Sequence, residues 1–194
     1  MATTAAPRVE TRPEAQIQNR TVWAIDPHHT LVEFSVRHMM FTTVKGRFGG
    51  VRGTIIADEA DFARSSVEVE IDAGSIDTRS EARDAHLRST DFLDPEQYPT
   101  LTFKSRRVEQ AGKDQYRVIG DLTIRDVTRE TVLDMSFNGR NRNPFGQEVA
   151  GASAETTINR REFGLTWNVA LETGGVLVGD TIKIAIEVQA ARES

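Results

Sequence analysis

The chain has 194 residues, no cysteine and a formal net charge of −5, with 38% hydrophobic and 27% charged residues. A domain of that length buries roughly 70% of the surface its unfolded chain exposes, so it needs no disulfides, and without cysteine it has no thiol, Cys-zinc or iron–sulfur chemistry. Lys and Arg form only short pairs such as Arg106-Arg107 and Arg160-Arg161, so the basic footprint of a nucleic-acid binder is missing.

Residues 1–20, "MATTAAPRVETRPEAQIQNR", contain no apolar run, and charges recur at Arg8, Glu10, Arg12 and Glu14. This is not a secretory signal. No stretch of the chain approaches the roughly 18 apolar residues of a membrane span. Residues 1–20 therefore read as a flexible tail ahead of one domain over 21–194. No stable membrane insertion is expected, and the expected location is the cytoplasm.

From Val22 onward the dominant period is two. "LVEFSVRH" sets Val32, Phe34 and Val36 against Glu33, Ser35 and Arg37, and "SVEVEID" sets Val67, Val69 and Ile71 against Glu68, Glu70 and Asp72. "YRVIGDLTIRD" aligns Val118, Gly120, Leu122 and Ile124. "TVLDMSF" aligns Leu133, Met135 and Phe137, and "TIKIAIEVQA" aligns Ile182, Ile184, Ile186 and Val188. Each run reads as a strand with one apolar face. The stretches 44–58 and 149–159 are longer and contain glycine, which in a strand marks a bulge or a sharp bend. With 100–110 the count is about eight long strands, plus a short one at Val22–Ile25.

One segment breaks the alternation. "TRSEARDAHLRS" (78–89) carries good helix formers, and Thr78 followed by Glu81 fits a capping box. The short connections elsewhere suit antiparallel hairpins. An antiparallel sheet of this size closes into a barrel or folds into a two-sheet sandwich, and the alternation fits both.

Residue patterns that carry chemistry are few. His28, His29, His38 and His86 form no metal-ligand pattern. His38 shares the parity of Phe34 and Val36, which suits a pocket polar group or a structural histidine. "GASAE" lacks the second glycine of a nucleophile elbow, and "GRFGGVRG" and "GGVLVG" do not match phosphate-loop spacings. No catalytic residue, metal ligand or cofactor is assigned. What stands out is bulky apolar residues beside turns, above all in "STDFLDPEQYPTLTF" (89–103). There Phe92, Leu93 and Tyr98 sit among Asp91, Asp94, Pro95 and Pro99. Such residues must cover something or be covered.

The chain resembles the YceI-like family, bacterial polyisoprenoid-binding proteins with a lipocalin-like barrel. The resemblance spans about residues 21–191. It rests on "WAIDPHHTLVEFSVRHMMFTTVKGRFGGVRGTI", "STDFLDPEQYPTLTFKS", "GDLTIRDVTRETVLDM", "INRREFGLTWN" and "VGDTIKIAIEVQA" in that order. It implies an all-β fold: an eight-stranded antiparallel lipocalin-like barrel with one helix in the mid-chain connection. It also implies a hydrophobic tunnel that takes an isoprenoid or another long-chain lipid, a hydrophobic small-molecule ligand that would be bound, stored or transported rather than transformed.

The lining expected under this resemblance takes Phe34, Val36, His38, Met40 and Phe41 from one strand and its turn, and Phe48 from the next. Leu87 comes from the helix, and Phe92 and Leu93 from the loop after it. Phe103, Leu122, Ile124, Met135 and Phe137 come from the mid-chain strands, and Phe163 and Trp167 from the last connection. Phe34, mid-strand, is expected to be packed with or without ligand, whereas Phe92 is expected at the mouth, where truncation costs the apo fold little. The alternative is an enzyme acting on an isoprenoid quinone or lipid amide in the same barrel, with His38 and His86 as candidates. A homodimer is expected because consecutive Ile55 and Ile56 must present one side chain on each face of the wall.

Overall fold

The computed structural model describes residues 19–172 and 174–193. For residues 1–18 the expectation of a flexible tail therefore lies outside the described residues. The strands are β1 (Arg20–Ile25), β2 (Leu31–His38), β3 (Thr42–Phe48), β4 (Val51–Asp58), β5 (Ser66–Asp72) and β6 (Ile76–Asp77). After the helix α1 (Glu81–Leu87) come β7 (Thr100–Gly112), β8 (Gln115–Ile124), β9 (Val127–Arg142), β10 (Glu148–Asn159) and β11 (Val178–Arg192).

All ladders are antiparallel. The ring runs β1-β4-β5-β7-β8-β9-β10-β11, and β11 returns to β1. β2 continues the track of β1 along β11, since Ile25 faces Ala190 and Leu31 faces Glu187. β3 likewise continues into β4 through the bend at Gly49-Gly50, and β6 extends β5 by pairing Ile76 with Phe48. The ladder segments thus merge into a closed eight-stranded barrel, which removes the open edges of the sheet. This settles the choice between barrel and sandwich.

The expected helix is present but shorter, and its cap differs. Ser80 is the N-cap and makes no side-chain capping bond. Thr78 lies two residues earlier. Its Oγ1 donates to Asp84 Oδ1 at 2.5 Å and accepts from Arg83 Nε at 2.7 Å. A buried carboxylate in the helix takes the role that the capping-box reading gave to Glu81.

Two bulges change which residues face inward. On β7 the register against β8 shifts between Ser105 and Arg107, so the inward set passes from Leu101 and Phe103 to Val108. On β9 an extra residue falls between Phe137, opposite Ala152, and Gly139, opposite Gly151. Gly139 has φ +112°, a conformation that glycine adopts without steric cost.

Gly120 has a different reason to be glycine. A Cβ there would lie 2.5 Å from the Lys104 carbonyl and 2.7 Å from the Phe103 ring. Gly120→Ala should therefore destabilise the barrel by about 1–3 kcal/mol, the usual cost of overpacking. A urea titration should show a lower midpoint at unchanged slope; an unchanged midpoint would mean that β7 and β8 part without cost.

Candidate ligand-binding cavity

The barrel is not filled. It encloses a cavity of about 360 Å³, within the roughly 300–1,000 Å³ typical of small-molecule sites. The wall is built from the alternating faces read in the sequence: Val32, Phe34 and Val36 on β2, Leu122 and Ile124 on β8, Leu133, Met135 and Phe137 on β9, and Ile182 to Val188 on β11. The space has a local cause. β10 presents Ala150, Ala152 and Ala154 where the other strands present large side chains. The inward Phe34, Val36, Leu122, Ile182 and Ile184 are consequently only half-buried. Their free surface borders the cavity.

At the α1 end the polar loop turns its apolar residues inside. Phe92 and Leu93 are each 7% exposed and both line the cavity. The loop holds them by backbone bonds, Phe92 N to Ser89 O and Leu93 N to Leu87 O, both 3.0 Å. Phe92 is covered from outside by His86 and Trp167, with ring centroids at 5.1 and 5.4 Å. His86 meets Trp167 edge-on at 4.5 Å and Asp91 Oδ2 at 2.9 Å.

Two arginines also line the cavity. Arg160, 3% exposed, stands at the α1 end. Its Nε donates to Gly179 O, its Nη1 to the carbonyls of Leu165 and Trp167, and its Nη2 to Val178 O and to Asp180 Oδ1 at 3.1 Å. All five donors of the guanidinium are thereby used. Burial pushes its pKa down, partly offset by the Asp180 carboxylate.

Arg140 stands at the opposite end. Its guanidinium lies 4.9 Å from the Trp23 ring centre, 5.7 Å from Phe62 and 5.9 Å from Phe137. Its Nη1 donates to Glu59 Oε2 at 2.6 Å, and Thr21 Oγ1 donates to Glu59 Oε1 at 2.6 Å. Burial alone would raise the Glu59 pKa; the hydrogen bonds from Arg140 and Thr21 outweigh it and hold the carboxyl below its ordinary value.

Of the residues expected to line a tunnel, Phe34, Val36, Phe48, Leu87, Phe92, Leu93, Phe103, Leu122, Ile124, Met135 and Phe137 surround this cavity. The others lie elsewhere. Phe163, 1% exposed, packs in the core behind the wall, and Trp167 backs Phe92. His38 ends β2 opposite Val178. Met40 and Phe41 are exposed on the turn after β2. The two phenylalanines also exchange the environments expected of them: Phe92 is the buried one and Phe34 the half-exposed one. The alternation did not reveal Trp23, the alanines of β10, Arg140 or Arg160 as lining.

A closed antiparallel barrel with an apolar cavity and a helix in its mid-chain connection defines a lipocalin-like class of architecture. A family profile described as YceI-like domain matches residues 23–190, and the chain belongs to that family. A UPF0312 protein of Staphylococcus aureus (strain USA300) is 38% identical over 164 residues, 84% of this chain and 93% of that protein. The Campylobacter jejuni YCEI protein superposes with a TM-score of 0.68 at 30% identity, covering 81% of this chain and 90% of that one. Two more distant structures share the fold. Burkholderia cenocepacia BcnA has a TM-score of 0.73 at 21% identity, over 85% of this chain and 98% of that one. A polyisoprenoid binding domain from Saccharophagus degradans has a TM-score of 0.64 at 13% identity, over 89% and 99%.

Proposed function

We propose that this barrel binds a long-chain isoprenoid or similar amphiphilic lipid in its cavity, and stores or carries it without chemical change. The observation that carries the reading is the cavity itself, walled by aliphatic and aromatic side chains from one end of the barrel to the other. Transfer of apolar surface from water supplies the affinity at about 25 cal/mol per Å². A chain of several isoprene units loses several hundred Å², on the order of 10 kcal/mol gross before the entropy costs of binding. The polyisoprenoid-binding description of the Saccharophagus neighbour is in keeping with this ligand class. His38 and His86, the side chains nominated for an enzymatic reading, are not among the lining residues, which favours a carrier.

Native mass spectrometry of the purified protein, with extraction of bound lipid and uptake of an added isoprenoid alcohol, tests the proposal. Ile184→Trp combined with Leu122→Trp provides the control. Both side chains point into empty space from separate strands, so the added rings occupy the cavity rather than overpack a filled core. Lipid uptake should fall about tenfold or more, equivalent to at least 1.4 kcal/mol of lost affinity, with the melting temperature maintained. Uptake equal to wild type in that folded variant would remove the cavity as the site.

A further inference from the structure

We propose that Arg140, steadied by Glu59, receives the head of the ligand, so that the lipid lies with an oxygen-bearing neutral head among Trp23, Phe62 and Arg140 and its chain pointing toward α1. This rests on the lipid-binding reading and adds to it a direction and a head-group chemistry.

Three observations support the assignment. First, Arg140 faces inward: it sits opposite Ala150 on β10, and both line the cavity. A charged side chain turned into an apolar barrel is costly unless its donors are used. Second, the two arginines of the wall differ. Arg160 spends every donor on the protein, whereas among the described residues Glu59 is the one hydrogen-bond acceptor of Arg140. Its side chain, 24% exposed, stands where the cavity meets solvent, and most of its N–H groups have no acceptor on the protein among the described residues. Third, the guanidinium is already held in place over three rings and against a carboxylate. Binding to it requires little further ordering.

The same pair selects the charge of the head. Glu59 stays ionised because Arg140 and Thr21 hold its carboxyl below the usual range, so the pair is close to neutral. An anionic head would gain from Arg140 and lose to the Glu59 carboxylate nearby. A carbonyl oxygen, as in a long-chain amide, ketone or quinone, accepts from the free N–H groups without that opposition.

Three probes of matched chain length distinguish the cases: dodecane, dodecanamide and dodecanoate, each competing against the fluorescent reporter phenylnaphthylamine in the full-length protein. In wild type dodecanamide should bind about tenfold tighter than dodecane, the worth of one hydrogen bond to a charged donor. Arg140→Met should bring the ratio of dodecanamide to dodecane affinity down to about one. Glu59→Gln, which removes the opposing charge and leaves Arg140 in place, should shift selectivity toward dodecanoate. The wild-type comparison and Glu59→Gln keep the test decisive should Arg140→Met fold poorly. Equal binding of dodecane and dodecanamide to wild type would overturn the head-group assignment alone. An amide preference surviving in folded Arg140→Met would do the same. Failure of all three probes to displace the reporter from wild type would overturn the lipid-binding reading along with it.

Discussion

Arg160→Met should lower stability by about 3–5 kcal/mol, near the upper end for a single substitution, and at roughly 2–4 °C per kcal/mol for a chain of this size the melting temperature should fall by about 6–20 °C. The reason lies in the connection between β10 and β11. Among the described residues of 160–177 the one ladder contact is a bridge between Ala170 and Val176. Arg160 ties their path together, gathering carbonyls from Leu165 and Trp167 on one side and Val178 and Gly179 on the other, and Asn168 adds bonds to Val178 N and O. Methionine matches the length of the stem and removes every donor. The carbonyls left inside each lose a hydrogen bond to a charged group, and a buried acceptor without a partner costs about 1–3 kcal/mol. Water reaching those nearer the surface keeps the total below a simple sum. Lysine should not rescue the loss, because a point charge cannot reproduce the planar five-donor fork. Differential scanning calorimetry of both variants checks this; a melting temperature within about 2 °C of wild type for Arg160→Met would mean that the connection holds without the clasp.

The strands and their inward faces were legible in the sequence, because period-two alternation is written directly in runs such as Leu31–His38 and Thr181–Ala190. Two features broke the reading for a physical reason. Parity counted along β9 from Leu133, Met135 and Phe137 places Arg140 on the outside; the extra residue before Gly139 reverses the count and turns Arg140 inward. The glycine itself was visible, but its φ was not. The cavity was likewise invisible as a volume. Ala150, Ala152 and Ala154 alternate correctly for a strand, and only the closed ring reveals that small residues on β10 face nothing large enough to fill the space. In the sequence Arg160 is half of a short basic pair with Arg161, and its burial is hidden there because the carbonyls that surround it come from residues up to 19 positions away along the chain.

The loop after α1 carries the second large effect. Phe92→Ala should cost about 3–5 kcal/mol, the usual range for a buried phenylalanine, and more than Phe34→Ala. Mid-strand position in a clean alternating run favours Phe34 as the packed residue, but the barrel reverses the order. Phe34 turns part of its ring to the cavity, where truncation enlarges an existing space and forfeits fewer contacts. It also touches Phe48 across the wall, at 5.7 Å between ring centres. Phe92, only 7% exposed, borders the cavity on one side and meets His86 and Trp167 on the other. Its loss opens a void beneath α1 that joins the cavity, and the contacts with the His86 and Trp167 rings vanish at once. Phe92→Asp should be worse still, since the carboxylate would lie against Phe, Trp and Leu side chains with little to compensate its desolvation. Chemical denaturation of Phe34→Ala and Phe92→Ala in lipid-free protein decides the order. A larger loss for Phe34→Ala would mean that the barrel contracts around the cavity when empty, and that the wall, not the α1 loop, sets its stability.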